Sequence, residues 1–388
     1  MVTYMVSPKE SQSGVVPSPS LPRRDLWLLP LLSLATVLVL LLGSEILSRL
    51  IWTEQVEDSC KVVVPGVGTR FRPNCVSKTK VPEGPWIRNA YNACGYRTAA
   101  SCGAKQPGEV RVAVLGTSYS YGYMTPYEDA YTSLAGTALS KACRRPVDFQ
   151  NLGVPNLNLV GVYRRLPEAL ALEPSLVLLS VSPLDFREVI SPEALASRNV
   201  DHLATDEVLS RKSPNWLKWT IVEPLKQSRT MYMLQHYAFQ DTETYLNLYL
   251  LYGDKVGYLN KDFSPIWKAR FANFDVLLAD MVAKTKQAGV PLVVLAGPVA
   301  SQIALDNDEP RAGMSADAFP NEIRRIAGKY GVPVIDPLPA MSNQPHPMQM
   351  LYVVDGHVAA KGQSFLAASL QAALRSDASG PFAHCSQK

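Results

Sequence analysis

Residues 110–122, VRVAVLGTSYSYG, join a strand-like run to a turn that carries a serine. The run Val110–Leu115 has the apolar character of a strand buried on both faces of a parallel sheet. In an open α/β sheet, ligands bind beyond the carboxyl ends of the strands, so Ser118 is well placed for chemistry. Gly116 and Gly122 permit a tight turn and a close backbone approach. Ser118 is therefore a candidate nucleophile, and an N-cap serine is the alternative interpretation.

From residue 109 onward, strand patterns alternate with helix patterns. After the first strand, further strands are predicted at 146–152, 175–181, 291–296 and 332–335. Helices are predicted at 126–142, 160–172, 271–288, 321–329 and 360–374. This alternation predicts an α/β domain in which helices cover both faces of a parallel five-stranded sheet, a three-layer α/β/α fold.

A histidine near the end of the chain is the second candidate for chemistry. His357 is one of five histidines, and it follows Asp355 by two residues and precedes the last predicted helix. A serine nucleophile needs a base within hydrogen-bond reach and a group that orients this base. Asp355 could orient His357, although an isolated pair of this kind is usually a polar loop.

Four motifs, in this order, resemble the signature blocks of the SGNH/GDSL hydrolase family, in particular its membrane-anchored bacterial members. They read GTSYSYG at 116–122, NLGVPN at 151–156, SPLDF at 182–186 and DGHVAAKG at 355–362. The resemblance covers about 109–376. It implies the flavodoxin-like SGNH fold for this part of the chain.

The same resemblance implies the site residues. The implied triad of nucleophile, base and acid is Ser118, His357 and Asp355. Gly153 stands in the oxyanion position, and Asn156 and Asp185 are expected to bind substrate. No cofactor or metal ion is expected, because the sequence contains neither HExxH nor a His/Asp cluster at ligand spacing.

Two positions depart from the family pattern. Thr117 replaces an aspartate that usually has a structural role. Leu184 replaces an asparagine whose side chain would donate a hydrogen bond to the oxyanion. Leucine cannot donate, and the loss of one such donor typically lowers the rate by about 10²- to 10³-fold. Either another donor substitutes, or the chemistry is slow or altered, or the site does not catalyse.

Other segments surround and interrupt this domain, which spans 109–378. Predicted around it are a disordered cytoplasmic tail at 1–25, a transmembrane helix at 26–51, a disulfide-containing extension at 52–108 and a tail at 379–388. The strand–helix rhythm breaks at 192–265, which is rich in tryptophan, tyrosine and leucine. We interpret this segment as a helical insertion that forms a packed lid, or that lines a groove or faces a membrane or partner.

The segment Leu26–Gly43 contains no charged residue over 18 positions. With the turns that follow, it reaches the ~20 residues needed to cross a hydrocarbon core of ~30 Å. Lys9, Arg23 and Arg24 precede it, so the positive-inside rule predicts a cytoplasmic N-terminus and an outward-facing domain. One alternative is a cleaved signal peptide, which the length of the run and Leu42 disfavour. The other is a buried core helix, which is rarely apolar on every face.

Six cysteines favour an oxidising compartment. Two pairs have the spacing of small disulfide loops, namely Cys60 with Cys75 and Cys94 with Cys102. Cys143 and Cys385 complete an even number, but the sequence leaves the pairing open, and free buried thiols are the alternative. The sequence contains no CxxC motif, so a zinc site is not expected.

These features predict a single-pass protein of the bacterial inner membrane with its domain in the periplasm. The resemblance implies an esterase or O-acyltransferase that acts on acylated envelope or exported polysaccharide through an acyl-enzyme on Ser118. The expected partners are an acylated glycan and a membrane acyltransferase or polysaccharide-export protein. The dispersed net charge of +4 argues against nucleic acid as a partner. The alternative is an inactive SGNH-like protein that binds glycan or acts as a scaffold.

Overall fold

The computed structural model describes residue 22 and residues 24–51, 55–64, 68–187, 228–377 and 380–386. Most of the predicted cytoplasmic tail, the first part of the predicted insertion at 192–227 and the last residues of the C-terminal tail lie outside this described part. The described chain begins in one long helix and passes through two hairpins into an α/β domain.

Helix α1, Asp25–Ile51, has the length and composition of a helix that can cross a membrane. Its 27 residues span ~40 Å at ~1.5 Å per residue, which exceeds the ~30 Å of a hydrocarbon core. Its apolar side chains are exposed, and Leu40, for example, is 66% exposed. Helix α1 is therefore not a buried core helix.

Two antiparallel hairpins form most of the extension after α1. Their strands are β1, Lys61–Val64, paired with β2, Gly68–Phe71, and β3, Val76–Lys80, paired with β4, Trp86–Ala90. These short strands bury few side chains, so the extension needs further support from covalent links and from contacts with the α/β domain.

Three disulfides join all six cysteines. They are Cys60–Cys75, Cys94–Cys102 and Cys143–Cys385. The first two are the short loops that the cysteine spacing predicts, and they are confirmed. The third pair, which the sequence left open, ties the C-terminal segment to the α/β domain, where Phe382 is fully buried.

The five predicted core strands form one parallel sheet. They are β5, Val110–Leu115; β6, Val147–Asn151; β7, Leu176–Val181; β8, Leu292–Ala296; and β9, Val334–Ile335. The order across the sheet is β6–β5–β7–β8–β9. Every residue of β5 and β7 is buried, because helices cover both faces of the sheet. The predicted fold class is confirmed.

The strand order creates a crevice at the carboxyl end of β5. The chain leaves β5 toward β6 on one side of it and then crosses to β7 on the other side. The loops after these strands therefore diverge from a common edge, which is where ligands bind in open α/β sheets. The first three motifs of the sequence all lie in these loops.

The helices cover both faces of the sheet. Among the residues that the structure describes, those of the domain before β8 are α2, Ser118–Tyr121; α3, Tyr131–Cys143; α4, Leu159–Tyr163; α5, Leu166–Leu170; α6, Arg229–Ala238; α7, Thr242–Tyr249; and α8, Pro265–Gln287. Those after β8 are α9, Ala300–Asp306; α10, Ala318–Gly328; α11, Leu338–Ser342; and α12, Ala360–Ser376. Short 3₁₀ segments lie at Tyr127–Asp129, Pro183–Asp185, Leu250–Leu259, Pro347–Met350 and Ala383–Ser386.

Three helix predictions differ from the structure, all near prolines. The predicted helix at 126–142 starts only at Tyr131, after a short 3₁₀ segment that follows Pro126. The predicted helix at 160–172 is broken into α4 and α5, and Pro167, which has no N–H, lies in the first turn of α5. Helix α8 starts at Pro265, six residues before the predicted start at 271, because proline is well suited to the first position of a helix.

The described part of the predicted insertion is helical and has two different faces. Phe239, Tyr245 and Leu246 are buried and pack into the core of the domain. Leu234 and Tyr237 are 59% and 68% exposed. Helix α6 also lies against the C-terminal end of α1, so this insertion connects the α/β domain to the helix that can cross a membrane.

Candidate active site

Ser118 lies at the carboxyl end of β5, as the first residue of the short helix α2. Helix α2 ends after one turn at Gly122, whose φ of 74° is the left-handed conformation that glycine adopts most easily. This abrupt end leaves Ser118 at the edge of the sheet, half-buried rather than enclosed. The sequence motif therefore produces a serine that a substrate could reach.

The structure brings the three predicted triad residues together. His357 Nε2 lies 2.7 Å from Ser118 Oγ, although the two residues are 239 positions apart. On the other side of the ring, His357 Nδ1 is hydrogen-bonded to Asp355 Oδ1. A proton on Nδ1, held by the carboxylate, leaves Nε2 free to accept the proton of Ser118. The arrangement has the geometry of a nucleophile, a base and a group that orients the base.

Neighbouring groups hold the His357 ring in this orientation. The Tyr123 ring packs edge-on against it, with 5.0 Å between the centroids. Burial raises the pKa of Tyr123 to about 12, so its phenol stays neutral beside the histidine. The backbone N–H of Tyr352 donates to the His357 carbonyl at 2.8 Å, which closes the turn that carries Asp355.

Gly153, the predicted oxyanion donor, has its N–H engaged elsewhere. This N–H donates to Asn151 Oδ1 at 3.0 Å. A side chain at this position would place its Cβ 2.4 Å from Ser120 Oγ and 2.7 Å from the backbone nitrogen of Tyr121. Glycine is therefore required here, because the motif at 151–156 packs closely against α2. An oxyanion role would need this N–H to leave Asn151, and that role stays a prediction.

Asp185 has a structural position that differs from its predicted contact with substrate. Its side chain is buried, and Thr117 Oγ1 donates to its Oδ1 at 2.5 Å. The N–H and the hydroxyl of Ser182 donate to its Oδ2 at 2.7 and 3.0 Å. Burial raises the pKa of Asp185, while these donors act in the opposite direction. Asp185 thus links the loop after β7 to the residue that precedes the nucleophile.

Replacement of Asp185 by alanine tests this structural role. We expect the free energy of unfolding to fall by about 2–3 kcal/mol, because the buried Thr117 hydroxyl and Ser182 N–H would lose their acceptor. The exposed Asp262, replaced in the same way, should change it by less than about 0.5 kcal/mol. Urea unfolding measures both variants. Unchanged stability together with a raised KM would instead support contact with substrate.

An apolar cavity of about 260 Å³ lies beside the triad. Its walls include Leu184, Phe239, Tyr245, Val299 and Asp355. Leu184 therefore faces a cavity at the position where the family pattern has a hydrogen-bond donor. The described part of the insertion contributes part of the wall, through residues at and near α6 and α7.

Asn156, the other predicted substrate-binding residue, is exposed and has a left-handed backbone with a φ of 68°. It lines a small cavity of about 60 Å³ together with Tyr123, which contacts the His357 ring. Asn156 is thus near the triad, and its contact with substrate remains a prediction.

Several residues that support the site escaped the sequence analysis. Tyr123 directly follows the first motif and Asn151 is the first residue of the second, so the aromatic and amide side chains in and beside these motifs were a usable signal. Glu83 accepts a hydrogen bond from the backbone N–H of Asp355 at 3.1 Å. It lies in the polar extension, where no periodicity or motif distinguishes it from other acidic residues.

The chain is similar to several solved structures at low sequence identity. The crystal structure of TesA is 16% identical, with 68% of this chain and 98% of that chain covered and a TM-score of 0.39. An acetyl xylan esterase, AlAXEase, is 13% identical, with 68% and 100% covered and a TM-score of 0.37. The psychrotrophic esterase EstA from Pseudoalteromonas sp. is 12% identical, with 68% and 96% covered and a TM-score of 0.37. No curated protein sequence matches the chain significantly.

The family comparison is decisive. The profile of the GDSL-like Lipase/Acylhydrolase family matches residues 114–365. This range begins in β5, ends in α12 and contains Ser118, Asp355 and His357. Because the match spans more than half of the sequence, the chain belongs to the GDSL-like lipase/acylhydrolase family.

Proposed function

We propose that this protein is a membrane-anchored serine esterase or O-acyltransferase that acts on acylated polysaccharide through an acyl-enzyme on Ser118. The observation that carries the proposal is the alignment of three side chains. Ser118 Oγ lies 2.7 Å from His357 Nε2, and Asp355 is bonded to Nδ1 of the same ring. A working acyl-transfer site is expected to hold a nucleophile, a base and an orienting acid within hydrogen-bond distance of one another.

The geometry supports a two-step reaction. In the first step, His357 Nε2 takes the proton from Ser118 Oγ as this oxygen attacks the acyl carbon. The bond to the substrate alcohol breaks, and the imidazolium returns the proton to the leaving oxygen. In the second step, water or a sugar hydroxyl attacks the acyl-enzyme, and His357 accepts the proton of that nucleophile and returns it to Ser118. Asp355 stabilises the imidazolium in both steps.

Stabilisation of the oxyanion is the weaker part of this site. The backbone N–H of Ser118 is one candidate donor at the start of α2. The N–H of Gly153 would have to exchange its bond with Asn151 for one with substrate. Leu184 offers no polar atom. The exposed amide of Asn156 is the side chain that we propose to contact substrate near the triad.

Three features support an envelope location. Helix α1 can span a bilayer and is exposed along its apolar length. Three disulfides favour an oxidising compartment such as the periplasm. Arg24 precedes the helix, in accord with a cytoplasmic N-terminus. We propose a single-pass inner-membrane protein whose substrate is an acylated envelope or exported glycan, supplied or modified by a membrane acyltransferase or export partner.

The choice between hydrolysis and transfer depends on water at the acyl-enzyme. The cavity beside Asp355 is mostly apolar, with α6 and α7 on one side. Exclusion of water from such a space would favour transfer to a sugar hydroxyl over hydrolysis. The same triad serves both reactions, so the acceptor decides between them.

A second candidate function is supported by the incomplete set of oxyanion donors. Leu184 has no donor, and Gly153 donates to Asn151. With both contributions missing, the domain could bind glycan or serve as a scaffold without catalysis. Full cellular function of a Ser118→Ala variant would favour this reading.

A direct test uses the purified full-length protein in detergent with an acetylated glycan, with and without an unacetylated acceptor glycan. Release of acetate without acceptor would identify an esterase, and acetyl transfer that requires acceptor would identify a transferase. Both activities should disappear in Ser118→Ala. If neither wild-type activity is seen with a folded protein that binds the glycan, the scaffold reading replaces the enzymatic one.

A further inference from the structure

Glu83 is an acidic residue buried behind the triad, outside the segment that matches the family. It lies in the turn between β3 and β4, and its side chain is only 2% exposed. Its carboxylate accepts from the backbone N–H of Val354 at 3.2 Å and from that of Asp355 at 3.1 Å. A buried carboxylate is costly unless donors satisfy it, and here two of its donors belong to the loop that carries the triad aspartate.

The opposite side of Glu83 faces helix α6. His236 Nδ1 lies 2.9 Å from Glu83 Oε1. Helix α6 is itself anchored at its N-terminus by Glu45 of α1, which accepts from the N–H groups of Arg229 and Thr230, each at 3.1 Å. A continuous series of polar contacts therefore runs from the end of α1, through α6 and Glu83, to the backbone of Asp355.

The extension also supports the loop of the nucleophile. Arg97 is 1% exposed, and its guanidinium donates to the carbonyls of Tyr121 at 2.7 Å and Thr125 at 2.6 Å. These carbonyls belong to the last residue of α2, the helix that begins with Ser118, and to the loop that follows it. Two charged residues of the extension thus bind the two loops that bring Ser118 and Asp355 into line.

We propose that Glu83 is a positioning residue of the active site. By binding the N–H of Asp355, it holds this carboxylate in line with Nδ1 of His357, and α6 holds Glu83 in turn. Glu83 acts through Asp355 rather than on substrate. The inference rests on the proposed function, because positioning affects catalysis only if the triad is active. It makes the disulfide-linked extension a part of the active site rather than a spacer between membrane and domain.

The test compares Glu83→Ala and Glu83→Gln in the full-length protein in detergent. Hydrogen exchange reports the protection of the Val354 and Asp355 amides, and ester turnover reports kcat and KM separately. Without the carboxylate, we expect these amides to exchange at least about tenfold faster. We expect kcat to fall by about 10- to 100-fold, because a small displacement of a catalytic group typically lowers the rate by this much. KM should change by less than about threefold. The Glu83→Gln variant keeps one acceptor oxygen, so its amide exchange and its kcat should lie between those of wild type and Glu83→Ala.

The matched control is Asn89→Ala. Asn89 is also buried in the extension, and its amide donates to Thr79 within the β3–β4 hairpin. This variant should leave the exchange of the two amides and the kcat near wild-type values. If Glu83→Ala folds with wild-type exchange, or with faster exchange but an unchanged kcat, the positioning role is wrong. If wild type itself has no turnover, the proposed function fails, and the exchange result still decides whether Glu83 holds the loop.

Discussion

Replacement of His357 by alanine is expected to lower ester turnover by about 10⁴- to 10⁶-fold. His357 is the group within 2.7 Å of Ser118 Oγ that can accept its proton, and removal of the base from a serine triad costs about as much as removal of the whole triad. The loss should appear in kcat, with KM nearly unchanged, because the ring acts on the reacting proton. Steady-state turnover of an activated ester gives kcat and KM for both proteins.

The control for this variant is His346→Asn. His346 is exposed and has a left-handed backbone, which asparagine tolerates. Its replacement should leave kcat within about twofold of wild type. A His357→Ala variant that keeps more than a tenth of the wild-type kcat would show that Ser118 is activated by another group or that the turnover arises elsewhere.

Removal of the Cys143–Cys385 disulfide is expected to have the largest effect on stability. This bond closes a loop with a sequence separation of 242 residues. In the chain-entropy account, such a loop contributes about 5.5 kcal/mol to the free energy of unfolding. The double variant with serine at both positions should therefore unfold at a much lower urea concentration, and the buried Phe382 should become exposed with the released C-terminal segment.

The Cys94–Cys102 disulfide offers the matched comparison, since its cysteines are only 8 positions apart. The same account gives it about 2.5 kcal/mol, less than half of the value for the long loop. Equal losses for the two double-serine variants would contradict an effect of loop length. A smaller loss for Cys143–Cys385 than for Cys94–Cys102 would indicate that packing of the C-terminal segment holds without the bond.

The sheet and the triad could be predicted because local patterns specify them. The run Val110–Leu115 is apolar on both faces, and such strands occur in parallel sheets covered by helices. Parallel strands present their carboxyl ends at one edge, so Ser118 and the loops after β6 and β7 had to meet there. His357 could be predicted because the family motif and the position before the last helix agree.

The finer features of the site depend on contacts between distant segments, which no local pattern reveals. Gly153 is predicted to serve the oxyanion, and its N–H donates to Asn151, whose own side-chain amide is held by the Ser120 carbonyl 31 positions away. Asp185 was expected to contact substrate, but its side chain is buried and accepts a hydrogen bond from Thr117, which follows a different strand. Glu83 reaches Asp355 across 272 residues of sequence. Such pairings arise from tertiary packing and become visible only in the folded chain.

Labelling of Ser118 by a fluorophosphonate tests the central claim most directly. The full-length protein in detergent would be treated with the probe beside Ser118→Ala and Ser120→Ala, the latter removing a neighbouring hydroxyl that donates to the Thr117 carbonyl. Labelling of wild type and Ser120→Ala, with none of Ser118→Ala, is the predicted result and would identify an activated serine. Absence of labelling in a folded wild-type protein would contradict an active triad and favour the glycan-binding scaffold.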